Sequence, residues 1–177
     1  MVHSYSFWVF GYGSLIWRPG FEFISAQGGL LCGFHRSLCI YSHLYRGTPE
    51  KPGLVFGLLP GGSCRGRAFE ISSDKWAGVL SYLRERETQV YREVRGPIKL
   101  DDGRKVEALS FVANEDHAQF AGGLSIEEKL ALVDSSQGQT GSNRDYIFNT
   151  MEHLTQLGIS DRRLDNICRL LEQKQVS

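Results

Sequence analysis

The chain spends its strands early and its helices late, and that order restricts the fold more than any single motif. Phe7-Trp8-Val9-Phe10 reads as a buried strand. Residues 28–42, rich in Leu, Phe, Cys and Ile with glycine breaks, read as one or two more. Tyr45 to Gly53 is a loop, punctuated by two prolines and two glycines. Leu54 to Leu59 reads as a strand, and Pro60-Gly61-Gly62-Ser63 as a hairpin turn into Cys64–Ile71. A helix starts near Ser72-Ser73-Asp74 and carries Trp76, Val79, Leu80 and Leu83 on one face. Val90–Val94 and Val106–Val112 alternate as strands around a turn at Asp101-Asp102-Gly103. Three helices close the chain: one with Ser125 and Glu128 as a capping box, one from Asn143 to Gly158 with Asn143 as N-cap, and one from Asp161 to Gln173. Strands first and helices last predict an α+β fold, a mixed and barrel-like sheet with packed C-terminal helices, rather than a doubly wound parallel sheet. Residues 1–177 fit one domain of ordinary size.

Charge and cysteine usage remove several function classes. Twenty basic residues balance 20 acidic ones with no dense Lys/Arg run, so nucleic acid is not an expected partner. No apolar run approaches the ~20 residues of a membrane helix, and Met1–Tyr5 lacks the basic-then-apolar order of a signal peptide. Cys32, Cys39, Cys64 and Cys168 are scattered, without a C-x-x-C pair, which fits free thiols in a reducing, cytoplasmic setting. Metal-ligand spacings of the H-E-x-x-H or finger type are missing, as is a G-x-S-x-G elbow.

The first strand runs into Phe10-Gly11-Tyr12-Gly13-Ser14-Leu15-Ile16-Trp17. A dinucleotide fingerprint would need a third glycine where Ile16 stands, and a P-loop would need a Gly-Lys-Ser/Thr ending. What remains is a sharp bend whose N–H groups at Gly13, Ser14 and Leu15 suit one anionic group, a carboxylate or an oxyanion. A strand-end bend whose glycines serve geometry alone fits the octapeptide as well.

Glu87 breaks the pattern of the midway helix. At 100° per residue from Trp76, Glu87 falls at about 20°, inside the apolar stripe, whereas Glu85 falls at about 180°, facing out. A carboxylate directed at a core is costly, and burial raises its pKa toward the range useful for proton transfer, so Glu87 is a candidate general acid/base. The competing readings are a structural ion pair with Arg84, Arg86 or Arg92, or a helix that ends before Glu87. A third feature is the glycine loop Gly138–Gly141 leading into Asn143-Arg144-Asp145-Tyr146. Tyr146 shares a helical face with Ile147, Thr150, Met151 and Leu154, which puts its ring inward and leaves its hydroxyl to find a backbone or a substrate partner.

Tyr12–Trp17, Arg46-Gly47-Thr48-Pro49 with Pro52-Gly53, Gly62–Phe69, Tyr82-Leu83 with Arg86-Glu87 and Tyr91, and Gly141–Tyr146 together resemble the ChaC type of gamma-glutamylcyclotransferase, which acts on glutathione. The resemblance implies the compact cyclotransferase fold. It also implies that Tyr12, Gly13, Ser14 and Leu15 hold the gamma-glutamyl group, and that Glu87 is the catalytic glutamate. The expected reaction is attack of the alpha-amine on its own gamma-amide carbon, giving 5-oxoproline and Cys-Gly with no metal or organic cofactor. In it Tyr146 would bond the substrate or Glu87, and Arg46 would meet the glycine carboxylate. Relatives often carry Asp-His where Leu44-Tyr45 stands here, which leaves discrimination of the Cys-Gly half open. Two other classes stay in view: a non-catalytic module that binds gamma-glutamyl peptides, and a cysteine-dependent amidohydrolase.

Overall fold

The computed structural model describes residues 5–175. Its elements are β1 (Ser6–Gly11), β2 (Ser25–Ser42), β3 (Gly53–Ser72), α1 (Trp76–Glu87), β4 (Tyr91–Leu100), β5 (Lys105–Ala113), α2 (Ile126–Ser135), the two-residue strands β6 (Gln137–Gly138) and β7 (Gly141–Ser142), α3 (Asn143–Gln156) and α4 (Arg162–Lys174). The five long strands form a closed barrel in the order β1-β3-β2-β4-β5. β1 runs antiparallel to β3, with Ser6 opposite Ser72 and Gly11 opposite Arg67, and parallel to β5, with Val9 opposite Leu109. The parallel β1–β5 pairing beside antiparallel ones makes the sheet mixed, and closure leaves the barrel without a free edge.

Two compact units share the chain. The first comprises the stretch through Arg36 with Leu58–Asn114, and the second Ser37–Gly57 with the stretch from Glu115 onward. β2 and β3 each begin in one unit and end in the other.

In the first unit, Val9, Leu15, Phe69, Ile71, Val79, Leu83, Leu109 and Phe111 form one apolar cluster. Phe7 stacks on Trp76 at 4.6 Å, which fixes the start of α1 against β1. Val79 and Leu83 are the buried residues of α1, the stripe that the periodicity indicated. The β4–β5 turn lies at Asp101–Gly103, with Gly103 at φ +91°, as expected. In the second unit α2 carries the full capping box of Ser125 and Glu128, and Asp161 caps α4.

Three local expectations are corrected. Residues 28–42 belong to one continuous strand that starts at Ser25. Pro60–Ser63 is no hairpin turn but lies inside β3, a strand of 20 residues. Gly61 and Gly62 take positive φ, +98° and +70°, which bends a strand locally, as at a bulge, without reversing it, and the Gly61 carbonyl stays bonded to a ring nitrogen of His35 on β2. Asn143 is not the N-cap of α3: Ser142 is, accepting from the Asp145 N–H. Asn143 is fully buried instead, accepting from the Leu54 N–H and donating to the Leu54 carbonyl, so its amide acts as a strand partner for β3.

Candidate active site

The bend after β1 is built by close approach. A Cβ on Gly11 would stand 2.9 Å from that of Leu15, so the chain can fold back here only with glycine. Leu15 and Ile16 are buried, and Tyr12 donates its hydroxyl to the Phe111 carbonyl at 2.5 Å, which pins the bend to β5. Ser14–Ile16 then make a single 3-10 turn. The Ile16 N–H bonds the Gly13 carbonyl and the Arg18 N–H the Ser14 carbonyl. The amides of Ser14 and Leu15, first in the turn, stand outside that internal bonding, as at any helix start.

Glu87 is the last residue of α1, with a side chain 15 % exposed where Glu85 is open to solvent. The helix therefore persists far enough to aim Glu87 inward, as its phase requires. Burial pushes its carboxyl up to about 7, against the downward pull of the Arg86 guanidinium. Arg84 does not serve Glu87. It forms a two-bond pair with Glu93 of β4, at 2.5 and 3.1 Å. Thr88, directly after Glu87, has φ +54° and ψ −166° and is the one non-glycine residue with positive φ among those described.

Arg86 joins the two features. Its Nη2 donates to Ser14 Oγ at 2.9 Å, its Nη1 to the Arg18 and Pro19 carbonyls at 2.5 and 3.1 Å, and its Nε lies 3.7 Å from Glu87 Oε1. Glu87 and the Tyr12–Leu15 bend, far apart in the sequence, thus share one guanidinium.

Arg46 and Tyr146 also come together, in the second unit. The Arg46 guanidinium lies 5.4 Å above the Tyr146 ring and donates to the Ser142 carbonyl. Both residues are buried, and the Tyr146 hydroxyl accepts from the Phe56 N–H at 3.1 Å. Leu44 and Tyr45 are half exposed, while their carbonyls receive the Gln139 and Thr140 N–H groups. Two of the thiols, Cys39 and Cys168, do not resemble nucleophiles: burial pushes both up to about 11.

Arginines were the residues that sequence reasoning missed. Arg36 donates to the Tyr12 carbonyl at 2.6 Å, and Arg67 to the Ile16 carbonyl at 3.1 Å. A guanidinium bonded to carbonyls leaves no motif, and Arg86 was visible only as one of several possible ion-pair partners for Glu87.

The sequence matches the model of the ChaC-like proteins over residues 7–174. The chain belongs to this family. Its ChaC-like relatives include the glutathione-specific gamma-glutamylcyclotransferase of Escherichia coli, 33% identical over 162 residues, which span 90% of this chain and 70% of that one. Gamma-glutamylcyclotransferase 2-3 of Arabidopsis thaliana is 31% identical over 170 residues, covering 90% of this chain and 85% of that one. Among solved structures, a yeast gamma-glutamyl cyclotransferase specific to glutathione superposes with a TM-score of 0.88 over 97% of both chains at 22% identity, so the ChaC-like chain shares its fold. Among the described residues no helix is long and apolar enough to cross a membrane.

Proposed function

We propose that this chain is a glutathione-specific gamma-glutamylcyclotransferase, with Glu87 as the proton carrier and the Tyr12–Leu15 bend as the grip on the gamma-glutamyl group. The observation that carries the reading is a buried carboxylate, raised to about 7, tied through one guanidinium to the glycine bend. A base poised near the working pH suits proton transfer, because it is ionised often enough to accept and acidic enough to return. The names of the E. coli and yeast relatives point to the same substrate.

Glu87 takes a proton from the alpha-ammonium of bound glutathione. The freed amine attacks the carbonyl carbon of the gamma-amide, a C–N bond closes the five-membered ring, and negative charge builds on the former carbonyl oxygen. Amides of the bend stabilise that charge, an effect worth roughly 10²–10³ per donor in comparable sites. The bond to the cysteine nitrogen then breaks. Two protons pass in all from the alpha-nitrogen to the leaving nitrogen, so 5-oxoproline and Cys-Gly form without water. Holding the substrate folded supplies much of the acceleration, since the attack is intramolecular. The four free thiols suit a cytoplasmic setting, where glutathione is reduced.

Incubation with glutathione, followed by separation of products, tests the reading. Equal amounts of 5-oxoproline and Cys-Gly are expected. Free glutamate in their place would indicate hydrolysis, and binding without either product would indicate a sensor. Comparison with gamma-glutamyl-alanine measures how strictly the second half of the substrate is read.

A further inference from the structure

We infer that Arg86 is the positioning residue that sets the glycine bend against Glu87, an assignment that rests on the reading of Glu87 as proton carrier. The bend is held by guanidinium groups from three elements. Arg36 of β2 takes the Tyr12 carbonyl, Arg67 of β3 takes the Ile16 carbonyl, and Arg86 of α1 takes those of Arg18 and Pro19. Carbonyls drawn toward cations fix the peptide planes of the segment, and with them the direction in which its amides point.

Arg86 differs from the other two in what its three nitrogens face. Nη1 serves the loop after the bend and the Tyr82 hydroxyl, Nη2 serves Ser14 Oγ, and Nε faces Glu87. The guanidinium is planar, so fixing two of these directions fixes the third. Any displacement of α1 along its axis would carry Glu87 and the Ser14 bond together. Lysine offers the same charge from a single nitrogen, whose three donors cannot span the separate positions that Nε, Nη1 and Nη2 occupy. The charged neighbours are accounted for: on α1, Arg86 acts on Glu87 while Arg84 is turned to Glu93 of β4, and from the bend Arg18 meets Arg86 through its carbonyl.

Arg86→Lys, Arg86→Ala and Glu87→Gln, assayed with glutathione across pH, test the assignment. Arg86→Ala is expected to lower kcat roughly 10²-fold, the scale of a misplacement of about 1 Å, with KM changed far less. The acid limb of its kcat/KM profile should move to higher pH, because Glu87 loses the cation that favours its charged form. Arg86→Lys should keep the limb near its original position and still lose kcat. A purely structural role would lower thermal stability and leave the limb unmoved. Wild-type kcat and an unmoved limb in Arg86→Ala overturn the assignment, while an inactive Glu87→Gln leaves the proton-carrier reading standing. Where Arg86→Ala does not fold, Arg86→Lys decides, and wild-type kcat and KM in that variant overturn the assignment. A fully active Glu87→Gln removes the proton-carrier reading and this assignment with it.

Discussion

Two regions of the molecule take polar side chains out of solvent and use them in opposite ways. Around α3, Asn143 bonds both backbone groups of Leu54, Tyr146 accepts from the Phe56 N–H, and Ser136 donates to the Pro52 carbonyl. Each of these bonds ties a backbone group of the segment Pro52–Phe56 to a side chain. At the end of α1, Glu87 meets Arg86 at 3.7 Å, beyond hydrogen-bond length, and its carboxyl has moved toward neutrality. Burial alone therefore does not mark chemistry. A buried polar group whose bonds are complete holds the fold together, whereas one kept at the edge of ionisation retains free energy that a substrate can use.

The sharpest way to break this contrast is to remove the charge from one side and the bonds from the other. Glu87→Gln keeps the shape and should lower turnover by roughly 10²–10⁴, the usual worth of a general acid/base, with glutathione binding retained by calorimetry. Asn143→Ala should do the reverse. It orphans the Leu54 N–H and carbonyl at about 1–3 kcal/mol each, so a loss of roughly 2–6 kcal/mol is expected in a urea titration, with kcat per folded molecule unchanged. Tyr146→Phe should follow the Asn143 pattern at smaller size, about 1–3 kcal/mol, because the bond from the Phe56 N–H to the Tyr146 hydroxyl is lost. A Tyr146→Phe protein of normal stability with a raised KM would move Tyr146 to the substrate side of the contrast.

Glu87 also sets a pH dependence of stability opposite in sign to that of an ordinary salt-bridged carboxylate. The unfolded chain releases this proton near 4.5 and the folded protein at about 7, so between those values the folded state holds more protons. Stability contributed by the neutral carboxyl is complete below pH 4.5 and is lost as pH rises through 7, a change of about 3 kcal/mol at 1.36 kcal/mol per unit. Glu87→Gln should match wild type at pH 4.5 and exceed it by several degrees in melting temperature at pH 8. Identical melting curves at both values would mean that the carboxylate is solvated, and the contrast with Asn143 would disappear.

How much of this was readable beforehand differs along the same line. Glu87 could be placed from helix phase, because one face of α1 has to be apolar and Glu87 falls on it, and the structure puts its side chain at 15 % exposure. The capping box at Ser125, the Asp101–Gly103 turn and the order of strands and helices were equally legible, since each depends on neighbours in sequence. Asn143 was misread because cap preference is a local rule, and its amide is claimed by Leu54, a residue 89 positions away. The glycines at 61 and 62 were misread as a turn because a bulge and a turn can both place glycines at positive φ, and only pairing with neighbouring strands tells them apart. The bonds of Arg36 and Arg67 left no trace, and Arg86 showed only as a possible ion-pair partner, since a guanidinium finds carbonyls by position in space and carbonyls have no sequence.

The smallest expected effect lies beside the largest. Thr88 holds φ +54°, a value that a β-branched residue rarely takes, and such a conformation costs about 1–3 kcal/mol. Its own N–H closes α1 on the Arg84 carbonyl, so the helix ends at Glu87 and the chain turns at once toward β4. Glycine at this position removes the steric cost but gives the unfolded chain more freedom, worth about 0.5–1 kcal/mol, so Thr88→Gly should gain about 1 kcal/mol at most. A chain of this size would then melt roughly 2–4 °C higher. Its kcat should fall, because a residue free to rotate no longer fixes the backbone from which Glu87 projects. A Thr88→Gly protein that melts lower would show that the bend is unstrained, and one that melts higher with full kcat would separate the strain from the carboxylate. The combination of greater stability and slower turnover is the outcome that ties the strained backbone to the group it adjoins.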